Sequence, residues 1–327
     1  MAGETWVLVE QWRGRISETT FEALALGREV AASLGGSLHA VLLGSGVGEL
    51  VPALGAADGV LVADHAALAE PVPEVCALAL AQLLEQRRPE ALLIPQTNVT
   101  MEIGSLLAAR MKLPFVNFCR DVQVAEGRLV ARCVLYGGKV EATVAPQATP
   151  AVLGILPGSR PPEQGKVERA PAVVAPVTLD LPAEPAVRFQ GYTDPPPGDV
   201  DIARENVLVA VGRGIQRPEN VTLAEELAGT LGGAVCGSRP VIDQGWLPTS
   251  RQVGTSGMIV KPQFYLALGI SGAPEHVEGM KHAALIIAVN TDPRAPIFNV
   301  AHYGAVTDAL EVLPALTDAV RNRKKAA

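Results

Sequence analysis

The sequence predicts an α/β protein built from two doubly wound, parallel-sheet domains. Short aliphatic runs alternate with helix-length stretches, as βαβ units require. That alternation stops at a proline-rich segment and then begins again. The 327 residues are 48% hydrophobic, 19% charged and only 4% aromatic, a mix that suits buried parallel strands rich in Ala, Val and Leu.

In the first domain, residues 1–200, Trp6–Val9, Leu38–Leu43, Val60–Ala63 and Ala91–Ile94 read as strands. Helices are expected over Ser17–Leu34, briefly near Glu49–Leu54, and over Val72–Gln86 and Met101–Met111. Gly35-Gly36 and Arg87-Arg88-Pro89 stand where helices should stop. Phe115–Leu156, with Arg128–Leu135 and Lys139–Val144 around Tyr136-Gly137-Gly138, reads as added β structure. Nine prolines fall within 158–200; part of that segment can pair as an edge strand, and its end is a linker. The stretch near Tyr192–Val200 is the expected pivot between domains.

The second domain, 201–327, repeats the pattern. Strands are expected at Val207–Val211, near Ala234–Cys236, at Leu266–Ile270 and at Leu285–Val289. Helices are expected over Val221–Leu231 and Asp308–Val320.

Charge and composition exclude several classes. Net charge is −7, and no basic block precedes the tail Arg321, Arg323, Lys324 and Lys325, which reads as a solvated, frayed end. A nucleic-acid partner is disfavoured. Cys76, Cys119, Cys133 and Cys236 make no CxxC pair and read as buried, inert thiols, so no metal site is expected. No run approaches a membrane span and no presequence precedes the first strand, so a cytoplasmic protein without stable membrane insertion is expected.

The chemistry gathers at the strand ends of the second domain. They run into Gly212-Arg213-Gly214, Gly237-Ser238-Arg239, Ser271-Gly272-Ala273 and Asn290-Thr291-Asp292. In an open parallel sheet these loops share the carboxyl edge, where ligands bind. Glycines there admit a ligand close to the backbone, a helix starting at Ser271-Gly272 would offer N–H groups to an anion, and Arg213 and Arg239 add positive charge. The combination suggests a dinucleotide. No complete GxGxxG and no Walker lysine is present.

These blocks, with Gln252-Val253-Gly254-Thr255-Ser256-Gly257, Gly269-Ile270-Ser271-Gly272-Ala273 with His276 and Gly279-Met280-Lys281, and Asn290 with Asp292-Pro293, Ala295-Pro296-Ile297-Phe298 and Tyr303-Gly304, resemble the electron-transfer flavoprotein alpha subunit. The resemblance spans about 100 residues of the second domain, and looser matches reach nearly the whole chain. It implies a nucleotide-hydrolase-like, Rossmann-type first domain, a FAD-binding second domain and no catalytic residues of its own. By the same resemblance Gln252, Val253, Gly254, Thr255 and Ser256 would line the flavin, with the Ser256 hydroxyl near N5. Arg239 and a protonated His276 would flank the ring; read by itself, His276 is a surface histidine on a helix. Arg213, Ser238 and Ser271 would meet the pyrophosphate, and Gly269, Ile270, Gly272 and Ala273 would also bind the cofactor. Asn290 and Asp308 would meet the adenosine end. Ser256 and Thr291 depart from the Thr and Lys common in the family.

The resemblance further implies a heterodimer with a beta subunit, taking electrons from acyl-CoA or other flavin dehydrogenases and passing them singly to a quinone oxidoreductase. Two alternatives stand beside it. One is a bifurcating complex in which NADH reduces a second FAD. The other is a nucleotide-binding enzyme using NAD or thiamine diphosphate, which would need an acid/base pair that these loops lack.

Overall fold

A computed structural model describes residues 3–136, 138–182, 185–192 and 199–326. The chain divides into two compact units, Met1–Gly191 and Tyr192–Ala327.

The first unit opens with β1 (Glu4–Val9), the small hairpin β2 (Gln11–Trp12) and β3 (Arg15–Ile16), then α1 (Glu18–Ser33) and β4 (Ser37–Gly44). It continues through β5 (Gly59–Asp64), α2 (Pro73–Gln86), β6 (Ala91–Pro95) and α3 (Ile103–Met111). Next come β7 (Phe115–Ala125), β8 (Arg128–Leu135), β9 (Val140–Val144), β10 (Ala151–Ile155) and β11 (Val173–Pro176). The sheet order is β11-β5-β4-β1-β6-β10-β7-β8-β9. All neighbours are parallel except the β7-β8-β9 ribbon, which is antiparallel.

Alternation along β1 explains the double winding. Val7 and Val9 join Phe21, Leu24 and Leu26 of α1 in one core. Trp6 and Leu8 join Val75, Leu80 and Leu83 of α2 and Ile103 of α3 in the other. A strand covered on both faces is apolar along most of its length, which is why Trp6–Val9 of β1 and Ala91–Ile94 of β6 read as unbroken apolar runs. The edge strand expected in the proline-rich segment is β11, parallel to β5.

The second unit comprises β12 (Val207–Val211), α4 (Val221–Leu231), β13 (Ala234–Gly237), α5 (Arg239–Asp243) and β14 (Phe264–Leu268). It ends with α6 (Pro274–Met280), β15 (Leu285–Asn290), β16 (Tyr303–Val306) and α7 (Ala309–Ala326). Its parallel sheet runs β13-β12-β14-β15-β16, a doubly wound order whose switch point lies between β12 and β14. One face packs on α4 and α7 through Leu227 and Leu313. The other, with Leu208, Tyr265 and Ile286, is covered by Met280 of α6 and by the loops carrying Val253 and Ile297.

Several expectations are corrected here. β14 ends at Leu268 rather than Ile270, because Gly269 turns the backbone to φ +62°. The basic tail is not frayed: α7 runs on through it, with Arg321 2.7 Å from Glu226 and Lys324 Nζ donating to the Thr230 carbonyl of α4 at 2.7 Å. Asp199 and Val200, assigned to the linker, belong to the second unit, where Asp199 meets Arg251 and Val200 packs on the core. Most of the expected pivot, residues 193–198, lies outside the described residues.

Candidate functional site

Parallel pairing of β12, β13, β14 and β15 places all their carboxyl ends on one edge. Eleven of the sixteen candidate residues lie at the strand ends or in the loops and short helices that follow them, and the other five, Gln252–Ser256, are tied back to the end of β13 by Val253 N–H donating to the Gly237 carbonyl.

At the switch point the loops after β12 and β14 fit into each other. Gly212 N–H donates to the Leu268 carbonyl at 2.9 Å, and Gly214 N–H donates to that of Gly269 at 3.1 Å. A Cβ on Gly212 would lie 2.3 Å from the Gly269 oxygen, and one on Gly269 would lie 2.5 Å from Gly214 Cα. These glycines therefore serve loop-on-loop packing, whereas the sequence reading gave their space to a ligand. Gly272 does the same at φ +85°, its position pressed against the Ile297 backbone. That conformation keeps it out of the following helix, so α6 starts at Pro274 and not at Ser271-Gly272. Ser271 is exposed, and its carbonyl accepts from Ile297 N–H.

The guanidinium of Arg213 is exposed and has no ion-pair partner among the described residues. Arg239 opens α5 beside the buried Ser238 and makes only a 3.5 Å contact with Asp243, both side chains being more than half exposed. Such a pair is weak and solvent-screened. The edge thus holds two cations that its own carboxylates leave largely uncompensated, a charge set suited to phosphate or to an anionic ring.

The Gln252–Ser256 segment is fastened at both ends. Val253 N–H donates to the Gly237 carbonyl at 3.0 Å, and Thr255 N–H donates to the Glu275 carbonyl of α6 at 2.9 Å. Gln252 is buried and its Nε2 donates to Ser256 Oγ at 2.9 Å. The Ser256 hydroxyl keeps its own hydrogen for another acceptor, and Thr255 and Ser256 are exposed.

His276 departs most from expectation. It is 6% exposed and not a surface residue. Its Nε2 lies 3.0 Å from the Tyr265 hydroxyl, while Nδ1 is closed to solvent without a hydrogen bond of normal geometry. Burial lowers its pKa to about 4, the Val253 backbone offsetting part of the effect. The ring is therefore neutral near pH 7, which corrects the expectation of a protonated imidazole. At the far end of the edge, Asn290 Nδ2 donates to the Ile270 carbonyl and its Oδ1 accepts from Asp292 N–H. Asp308 caps α7 by accepting from Leu310 N–H and also accepts from Gln216 Nε2 at 3.3 Å. Both therefore have local structural duties.

Sequence reasoning missed two contributors. Tyr265 stands just outside the strand expected at Leu266–Ile270 and carries no assignment there, although a buried phenol needs a partner for its hydroxyl. Arg251 was unassigned; its Nε donates to Asp199 at 2.6 Å and one terminal nitrogen donates to the Val235 carbonyl.

Residues 201–281 match the family profile described as "Electron transfer flavoprotein FAD-binding domain", and residues 5–180 match "Electron transfer flavoprotein domain". The chain belongs to the electron transfer flavoprotein family. It is 38% identical to the "Protein FixB" of Clostridium saccharobutylicum, over 95% of this chain and 94% of that one. It is 35% identical to the "Electron transfer flavoprotein subunit alpha" of Syntrophomonas wolfei subsp. wolfei, over 98% and 100%. A third relative, the "Acryloyl-CoA reductase electron transfer subunit beta" of Anaerotignum propionicum, is 33% identical over 99% and 97%. The chain is accordingly an electron-transfer flavoprotein subunit of the alpha type, and its second unit is the FAD-binding one. The exposed Arg213 and Arg239 and the exposed Ser256 hydroxyl fit that cofactor.

Among the described residues no group of three His, Cys, Asp or Glu side chains could hold a metal. The four cysteines are buried and unpaired, with burial pushing Cys76, Cys119 and Cys236 up to about 12. No described helix is long and apolar enough to cross a membrane.

Proposed function

We propose that this subunit carries electrons singly between a flavin dehydrogenase and a quinone oxidoreductase or similar acceptor, with its FAD along the carboxyl edge of the second sheet. The observation that carries the reading is the convergence on one edge of Arg213, Ser238, Arg239, the Gln252–Ser256 segment and the Ser271 loop. Bound FAD supplies the one- and two-electron chemistry. Arg213, Ser238 and Ser271 hold its pyrophosphate, and Gln252–Ser256 and Arg239 border the ring. Asn290 and Asp308 stand toward the adenosine end, with Gly269, Ile270, Gly272 and Ala273 shaping the wall between.

A carrier of this kind works with a second subunit, here an electron-transfer flavoprotein beta chain. The acryloyl-CoA reductase name of one relative favours a dehydrogenase acting on acyl-CoA thioesters as the donor. The bifurcating alternative draws on no feature of this site and is not favoured. Co-expression of the chain with an electron-transfer flavoprotein beta subunit from the same organism should yield a yellow complex with flavin absorption bands. That complex should be reduced by an acyl-CoA dehydrogenase and its substrate. A colourless complex, or one reduced by NADH alone, would contradict the reading.

A further inference from the structure

We propose that Tyr265 is a positioning residue of the flavin site, holding the His276 ring by Nε2 and through it the Gln252–Ser256 segment; this rests on the FAD reading above. Tyr265 lies inside β14, fully buried, between Leu208 of β12 and Ile286 of β15. Its hydroxyl and His276 Nε2, 3.0 Å apart, are both buried. Removing the Tyr265 hydroxyl would leave Nε2 buried without a partner, the costly outcome for a buried polar group.

The ring in turn sits under the flavin-facing segment. Val253 is its backbone neighbour, and Thr255 is tied to Glu275, the residue before His276. A Cβ on Gly254 would come 3.0 Å from the Glu275 oxygen, and one on Gly279 would come 2.4 Å from Gly254 N. Segment and helix are thus in backbone contact along α6. A shift of the His276 ring would be passed to the segment directly.

The proton positions follow from the chain of contacts. Behind Tyr265 lies Cys236 of β13, its other hydrogen-bonding neighbour, whose sulfur is an acceptor for the phenol. The Val253 backbone bond favours the protonated imidazole, so it accepts a hydrogen from the ring; with Nε2 at the Tyr265 hydroxyl, this assigns the imidazole proton to Nδ1 and leaves Nε2 to accept from the phenol. Tyr265 is the titratable group that meets the ring from the sheet, with Cys236 behind it, and the 252–258 segment brings backbone. On its own helix Glu275 is exposed, and Glu278 is paired with Lys281 at 2.6 Å. None of these supplies a buried charge to the imidazole.

The test is nitrogen-15 NMR of labelled histidine in the FAD-loaded heterodimer. His276 should show one neutral tautomer, protonated at Nδ1, unchanged between about pH 5 and 8. Y265F removes the hydroxyl alone; its Nε2 resonance should move toward a tautomer mixture, and FAD should dissociate about two- to tenfold faster. L208A, which thins the same core face, should lower the melting temperature and leave the imidazole pattern intact. An imidazole that charges within that pH range, or an unchanged pattern and FAD release rate in Y265F, would overturn the proposal. If Y265F fails to assemble, the wild-type titration decides. A heterodimer that holds no flavin would sink the FAD reading, while the imidazole pattern would still decide the pairing.

Discussion

Arg239 and Arg213 stand on the same sheet edge with different expected effects. In the proposed site Arg239 borders the ring, so its charge should act on the potential more than on binding. Arg239→Ala should lower the first one-electron potential of the bound flavin by about 60 mV, the equivalent of one charge-assisted hydrogen bond of ~1.5 kcal/mol. Spectroelectrochemical titration of the heterodimer checks this, and FAD content should stay near that of the wild type. His276, neutral through burial, adds no charge to that term, so the potential should carry no His276-dependent step near neutral pH. Gly269 makes a second residue-scale prediction. Its φ of +62° and its 2.5 Å clearance from Gly214 Cα leave no space for a methyl group. Gly269→Ala should therefore destabilise the second unit by about 1–3 kcal/mol and loosen FAD, measured by thermal melting and by flavin release.

At the scale of elements, the start of the second unit hangs on one ion pair. Asp199 and Arg251 have side chains 12% and 17% exposed, and the Arg251 hydrogen bond holds the Asp199 carboxyl below its ordinary pKa. Asp199→Asn or Arg251→Ala should cost about 1.5–3 kcal/mol. Because the folded-state pKa is depressed, the contribution is full near neutrality and fades as pH falls below about 4. The difference in melting temperature between wild type and Asp199→Asn should thus hold from about pH 5 to 8 and shrink in acid. Elements with one-dimensional signatures were legible in the sequence: β1, β6 and β12 as aliphatic runs, and α1 and α2 between their stop signals. The short β16 was not, because Tyr303–Val306 is exposed throughout and lacks both periodicity and burial. The onset of α6 was misplaced because a glycine conformation, invisible in spacing, decides it.

Across the whole molecule, the alternation of strand and helix disclosed two doubly wound units, since that pattern is local and repeated. The convergence of loops on one sheet edge was legible too, because parallel strands impose it. What escaped were pairings across the fold. Tyr265 with His276 joins a strand to a helix, and Arg251 with Asp199 spans 52 positions. The packing of Gly212 and Gly214 on Gly269 joins two loops that spacing alone assigned to a ligand. Hydrogen exchange of the full heterodimer, compared with and without FAD, tests the location of the cofactor most directly. FAD should slow exchange in Gly212–Gln216, Ser238–Asp243, Gln252–Ser256 and Ile270–His276 of this chain. Protection confined to residues 3–136 and 138–182, with those loops unchanged, would contradict a flavin held on the second sheet.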